Sequence, residues 1–203
     1  MNLYPTLQTY IEKAKSLPIP EERKEVLQML IDYLQRKVDQ DQEINVNFIC
    51  THNSRRSQFS QIWGKVAAAY HGIEINAYSG GVEVTAFNER AVSSIKRFGF
   101  KLSKEGEGNP KYFVFYSDDE DPIVAFSKIF DDSANATKNF AAVMTCSHAD
   151  ENCPFIPGAD ARIPVRYEDP KAFDGTEKEA EKYDERSMQI ASELLYVFSK
   201  IEK

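Results

Sequence analysis

The chain is poor in the features that direct a protein to a membrane, a nucleic acid or an oxidising compartment. No apolar run approaches the roughly 18–20 residues of a bilayer-spanning helix. The N-terminus MNLYPTLQTYIEKAKSL has no basic stretch followed by an apolar one, so no secretory signal is expected. Basic residues are outnumbered, 25 Lys and Arg against 32 Asp and Glu. The net charge of −7 argues against a nucleic acid or an anionic membrane as the main partner. Cysteine is scarce and odd in number: three in 203 residues, which points to reduced thiols in the cytoplasm rather than to a disulfide framework. Internal repeats and low-complexity segments are missing too. What is present, 42% hydrophobic residues over 203 positions, suits one globular domain with room for an appendage.

Residues 1–44 read as an N-terminal helical extension. Val26, Leu27, Leu30, Ile31, Leu34 and Val38 recur at helical spacing, and Pro18 and Pro20 separate them from a shorter helix with Leu7, Tyr10 and Ile11. This helical hairpin carries no catalytic-looking residue. It is expected to pack on the main domain or on another subunit, which leaves a homodimer open. From 45 to 203 strands alternate with helices. INVNFIC, IEINAYS, FAAVMTC and ARIPVRY read as strands. Phe59, Ile62, Trp63, Val66 and Tyr70 mark one helix, NERAVSSIKRF a second, and Thr176 with Glu179 resembles a capping box opening the last. That alternation implies an α/β fold, an open parallel sheet with helices on both faces. KYFVFYSDDEDPIVAFSKIF breaks the rhythm with two β-rich runs around an acidic turn, an inserted β-hairpin at about 111–130.

The chemistry concentrates in FICTHNSRRSQFSQIW, residues 48–63. The strand ends at Cys50, Thr51 to Arg55 form a loop, and Arg56 opens a helix. Such a loop turns several backbone N–H groups toward one point, with the positive end of a helix dipole behind them. That geometry holds an oxyanion and favours a thiolate. Thr51, His52, Asn53, Ser54, Arg55 and Ser57 are therefore candidate oxyanion-binding residues. Arg56 can close over the anion with its planar fork, and Ser57 can donate to the sulfur. The Cys-x5-Arg spacing also fits a buried strand-end cysteine before a basic turn. Position favours a site, since open α/β sheets bind ligands outside the carboxyl ends of their strands. YEDP supplies two candidate acids, Glu168 and Asp169. Cys146 and Cys153 are poorly spaced for zinc, with His148 alone nearby, so no metal is expected. A buried structural role for both remains open.

NFICTHNSRRSQ resembles the phosphate-binding loop of the low-molecular-weight protein tyrosine phosphatase family, which includes the thioredoxin-coupled arsenate reductases. AYSGG, NERAVSSIKRFGF and YEDP follow in the same order, and the resemblance covers residues 45 to about 200. It implies Cys50 as nucleophile, Arg56 as oxyanion clamp and Asp169 as general acid. It also implies an Asn53–Ser79 pair that holds the loop. Two positions depart from the pattern: His52, where the family often has Gly, and Arg55, where it often has a second Cys. Gly is the least costly residue at positive φ, but His visits that region more than most, and the loop is expected to keep its shape. Arg55 is expected as a solvated cation or as added attraction for a dianion.

MTCSHADENCPFIPG resembles the C-x6-C signature of the arsenate reductases. EDPKA lacks the aromatic residues that phosphatases place after Asp-Pro. The resemblance thus implies reduction of arsenate to arsenite by a three-cysteine relay, Cys50 to Cys146 to Cys153. No cofactor is bound in this scheme, and thioredoxin is the external reductant. The alternative is a tyrosine phosphatase or phosphomonoesterase, which needs only Cys50, Arg56 and Asp169. An oxyanion-sensing module that lost turnover through His52 and Arg55 is a third.

Overall fold

β1 (Asn45–Cys50) is buried along its whole length, and the fold is arranged around it. In the computed structural model, which describes residues 2–152 and 155–203, β1 lies between β2 (Asn76–Gly81) and β6 (Phe140–Met144). β7 (Ala159–Pro164) pairs with the outer side of β6, and every pairing in this four-stranded sheet is parallel. A strand covered on both faces should be apolar throughout. Asn47 departs from that, and its Nδ2 donates to Phe130 O at 2.9 Å.

Alternate residues of the central strands feed two cores. Val46, Phe48, Val143 and Ile163 join the larger one, with α3 (Arg56–Tyr70) and α6 (Glu179–Ser199). Trp63 is fully buried there, and its Nε1 donates to Ser187 Oγ at 2.9 Å. α1 (Pro5–Lys15) and α2 (Glu21–Asp39) add Leu7, Ile11, Leu27 and Leu30 to the same core. Arg23 of α2 also pairs with the buried Glu193 of α6 at 2.6 Å. On the other face Ile49, Ala142 and Met144 meet Cys50, Cys146, Ala149 and Ile156 in a smaller core, under the short α5 (Ser147–Asn152). No described helix is long and apolar enough to cross a membrane.

The inserted hairpin is present as β4 (Lys111–Phe115) and β5 (Ile123–Ala125), after α4 (Glu89–Arg97). It belongs to a three-stranded antiparallel sheet, because β3 (Lys101–Glu105) pairs with the other edge of β4. KLSKE carries one apolar residue and lies mostly exposed, so no apolar alternation marked it as a strand. β7 starts two residues before ARIPVRY and ends at Pro164. Val165 and Tyr167 still donate to Met144 O and Thr145 O, at 3.0 and 3.1 Å, and this guides the chain to Glu168 and Asp169. The capping box at Thr176 does not form. Glu179 accepts from Gly175 N at 2.6 Å and Thr176 Oγ1 from Lys178 N at 3.3 Å, so α6 opens at Glu179 itself.

β2 ends on two glycines: Gly80 lies against the backbone of Phe130, and Gly81 sets how closely the loop after β1 can approach. A Cβ on Gly81 would lie 2.8 Å from Asn53 N and Glu83 O and 2.9 Å from Thr51 O, all backbone atoms. Gly81→Ala is therefore expected to force the loop outward at a cost of about 1–3 kcal/mol. A fall in Tm of roughly 3–10 °C by circular dichroism is the expected readout. An unchanged Tm would mean that the loop has slack at this contact.

Candidate active site

Four successive carbonyls of the loop between β1 and α3 accept hydrogen bonds from outside it. Thr51 O takes Val82 N and Glu83 N at 2.8 and 2.9 Å. His52 O takes the hydroxyls of Thr85 and Ser127 at 3.1 and 2.9 Å. Asn53 O takes Gln58 Nε2 at 2.9 Å, and Ser54 O takes Asn88 N at 3.0 Å. In a trans peptide the C=O of one residue and the N–H of the next point in opposite directions. Turning these carbonyls outward therefore turns the N–H groups of His52, Asn53, Ser54 and Arg55 inward. These four, with the first N–H groups of α3, donate to no acceptor among the described residues. The result is a concave set of donors suited to an oxyanion.

Asn53 is the hinge of this loop. It has a φ of 45°, a left-handed conformation that asparagine tolerates. His52 does not carry the positive φ expected of it; it sits half-exposed, with Nε2 3.3 Å from Glu83. Asn53 Oδ1 accepts from Lys128 N at 2.9 Å and Nδ2 donates to Ser57 Oγ at 2.8 Å. Ser57 Oγ lies 3.0 Å from the buried Cys50 Sγ. Because Ser57 accepts from Asn53, its own hydrogen is free to point at the sulfur. The expected Asn53–Ser79 pair is not made. Ser79 Oγ donates to Gln61 Oε1 at 2.6 Å, because Gln61 of α3 is the polar side chain that reaches it.

The two arginines part ways. Arg56 donates from Nη1 to Tyr167 O at 3.0 Å and from Nη2 to Asp169 Oδ2 at 2.7 Å. Its Nε is buried with no acceptor among the described residues. Asp169 also caps the 3₁₀ turn Pro170–Phe173, with Oδ1 accepting from Lys171 N at 3.0 Å. Glu168 points outward, its side chain 92% exposed and 3.4 Å from Arg186. Arg55 is not the solvated cation expected: it donates from Nε to Tyr183 OH at 2.7 Å and lies 3.5 Å from Asp174. Burial pushes the Tyr183 hydroxyl up to about 12, so it stays protonated and donates to Asp174 Oδ1 at 2.8 Å.

Cys146 follows β6 as Cys50 ends β1, and the register Ile49↔Met144 makes the two strand ends neighbours. Its thiol is buried in the smaller core with Cys50, 3.5 Å from Thr51 Oγ1, and accepts from Ala149 N at 3.4 Å. Thr51 Oγ1 also lies 3.3 Å from His148 Nδ1. Cys153 lies outside the described residues. Beside the loop, His52, Ser54, Arg55, Arg90 and Lys171 line a cleft of about 480 Å³. Sequence reasoning missed Gln58, Gln61, Ser127 and Lys128 as loop supports. Gln58 and Gln61 lie four residues or fewer from named site residues and invited the question; Ser127 and Lys128 reach the loop from 75 residues away, and no local pattern reveals them.

No family model matches the chain. An arsenate reductase of Halalkalibacterium halodurans is 31% identical over 134 residues, covering 66% of this chain and 79% of that protein. An arsenate reductase of Brevibacillus brevis is 31% identical over 125 residues, covering 62% and 75%. Among solved structures, a low-molecular-weight phosphotyrosine phosphatase of Vibrio cholerae matches with a TM-score of 0.52. It is 14% identical and covers 77% of this chain and 94% of that one, a likeness of fold. The similarity to the reductases spans most of their length, and the sheet is that of the phosphatase: this chain belongs to the arsenate reductase family, built on the low-molecular-weight phosphatase fold.

Proposed function

We propose that the protein reduces arsenate to arsenite, with electrons from its own thiols and, in the end, from an external dithiol such as thioredoxin. One observation carries this reading: Cys146, a second buried thiol, stands against the loop that bears Cys50. Phosphate ester hydrolysis has no use for it. The rim suits an anionic substrate, since Arg55, Arg90 and Lys171 are among the residues lining the cleft beside the loop.

In this scheme the inward N–H groups and Arg56 hold arsenate. Arg56 offers its unpaired Nε and can turn Nη2 from Asp169 to the anion. The Cys50 thiolate attacks arsenic, an As–O bond breaks, and Asp169 gives a proton to the departing oxygen, which leaves as water. Cys146 then attacks the Cys50 sulfur as a thiolate. The S–As bond breaks, its electron pair stays on arsenic, and arsenite leaves a Cys50–Cys146 disulfide. Cys153 attacks Cys146 and frees Cys50, and the external dithiol reduces the Cys146–Cys153 bridge. α5 occupies most of the chain between these two cysteines. A helical rise of about 1.5 Å per residue would hold them roughly 10 Å apart, and a disulfide needs Cα atoms within about 7 Å. That helix must open for the bridge to form.

Two predictions test the assignment. Arsenate-dependent oxidation of NADPH, with thioredoxin and its reductase, should run in the native protein and fail in Cys50→Ser, Cys146→Ser and Cys153→Ser. Cys153→Ser should complete one turnover and stop with Cys50 bridged to Cys146 on non-reducing peptide mapping, whereas Cys146→Ser should release no arsenite. Aryl phosphate hydrolysis, if the loop supports it, should survive both relay substitutions. Normal reduction in both relay variants would sink the proposal in favour of the phosphatase reading.

The arginines should separate in kind. Arg56→Lys keeps the charge but loses the fork, and turnover should drop by about 10²–10³ with little change in Tm. Arg55→Ala should instead cost stability, about 1–3 kcal/mol, by removing the donor to Tyr183 and leaving Asp174 only the more distant Arg90 as a cation, at 3.8 Å. Equal losses of turnover in the two variants would show that the clamp is misassigned.

A further inference from the structure

A cavity of about 260 Å³ lies between β2 and β5, and the loop residues 50–57 take no part in its lining. Its walls include Tyr78, Ile123, Val124 and Phe126. Lys128 also lines it, at 4% exposure, and its Nζ has no hydrogen bond or ion pair among the described residues. That ammonium lies over the Phe126 ring, 4.5 Å from its centroid. Asn135 lines the cavity as well. Its Nδ2 donates to Ser79 O, Ile129 O and Phe130 O, while its Oδ1 is buried with no donor. A buried cation with no ion pair and a buried acceptor with no donor among the described residues thus belong to two side chains that line one cavity, and buried polar groups are seldom left so.

We propose that this cavity is an effector site for a compact monocarboxylate with an apolar body and a hydrogen-bond donor. Lys128 would take the carboxylate, Asn135 Oδ1 the donor, and Ile123, Val124 and Phe126 the body. A single negative charge fits better than a dianion. The other lysine of the lining, Lys65, already donates to Ile75 O at 3.0 Å, and Asp121 also lines the cavity. The volume is below the roughly 300–1,000 Å³ of sites for drug-sized ligands, so the ligand is small.

Its occupancy would be felt at the oxyanion loop, because residues 126–128 serve both places. Lys128 N holds Asn53 Oδ1, Ser127 Oγ holds His52 O, and Gln58 Nε2 bridges Phe126 O to Asn53 O. Burial pushes the Lys128 amine down to about 8, against a smaller opposing pull from Asp132. The other charged or titratable groups around it are Asp121, Lys65 and Tyr78 in the lining and Lys111 over the same Phe126 ring at 5.3 Å. A bound carboxylate favours the ammonium, so binding near pH 8 should take up a proton. The folded value lies below the usual 10.5. The buried charge therefore weakens the fold below about pH 8, and that weakness fades as pH rises toward 10.5.

The test is calorimetric titration of the full chain with 4-hydroxybenzoate at pH 8, in two buffers of different ionisation enthalpy. One-to-one binding with net proton uptake is expected, retained in Cys50→Ser and shifted in affinity but not displaced by excess arsenate, since coupling between the two sites is reciprocal. Lys128→Met should melt no lower than the native chain at pH 7, should bind at least about tenfold more weakly through loss of a charged hydrogen bond, and should lose the proton uptake. The neutral 4-hydroxybenzamide should show a similar loss. Ala134, exposed at the cavity, gives an independent block: Ala134→Trp should exclude the ligand without touching Lys128. Absence of saturable binding to the native chain, or binding that survives both substitutions, overturns the proposal. Neither result bears on arsenate reduction, which is assayed separately.

Discussion

The outward turn of four consecutive carbonyls is the constraint on which the site depends. A loop of five residues left to itself would fold its C=O groups onto its own N–H groups and close. Here Thr51, His52, Asn53 and Ser54 each have an external donor, from the loop after β2, the 126–128 segment, Gln58 or the start of α4. Each such bond contributes about 0.5–1.5 kcal/mol net. The left-handed turn at Asn53 opposes them with roughly 1–2 kcal/mol for an ordinary residue and less for asparagine. The sum leaves several N–H groups facing one point with no protein acceptor, a state that an anion relieves. Function and strain reside in the same few atoms.

The sheet supplies what a loop cannot, the meeting of two thiols 96 positions apart. Parallel neighbours in a sheet run about 4.8 Å apart, so strands that end in step bring their next residues together. β1 and β6 do this, and Thr145 N bonding Ile49 O at 2.7 Å keeps them in step to the last residue. The small second core then closes over Cys50 and Cys146 with Ile49, Met144, Ala149 and Ile156. That packing removes both sulfurs from bulk solvent, while α5 above them is tied down through Asp150 to Arg162 and Arg166. Asp150 is the buried partner and its two arginines reach solvent, so loss of either contact would leave a buried carboxylate less well compensated.

Local patterns in the sequence carry most of the architecture. The apolar recurrence in α2 and α3, the buried run of β6 and the Cys-x5-Arg loop are each written within a dozen residues. Long-range partners were not. Ser79 and Asn53 are both polar and both near the loop, but the side chain within reach of Ser79 is Gln61, one turn along α3 from Ser57. β3 escaped notice because an exposed edge strand needs only backbone partners and carries no apolar alternation. Nothing in the sequence around Lys128 marks it as buried. Its burial follows from the 126–128 segment passing beneath the loop, a tertiary fact with no trace in its neighbours.

The adjacent arginines show how the loop also positions Asp169. Arg55 has φ and ψ of −133° and −79°, outside the helix, while Arg56 is its first residue. That break sends the side chains apart, and the 167–174 segment receives both: Arg56 at Tyr167 O and Asp169, Arg55 at Asp174. Tyr183 of α6 locks the second contact by accepting from Arg55 and donating to Asp174. Neither arginine is largely exposed, so both contacts are less screened than surface ion pairs. The segment that carries Asp169 is therefore pinned at two points by the helix turn that also presents the oxyanion donors. Pro170 stiffens the chain between them. Cys50, Arg56 and Asp169 thus share one rigid frame, and their spacing follows from one strand end and one helix start rather than from three independent loops.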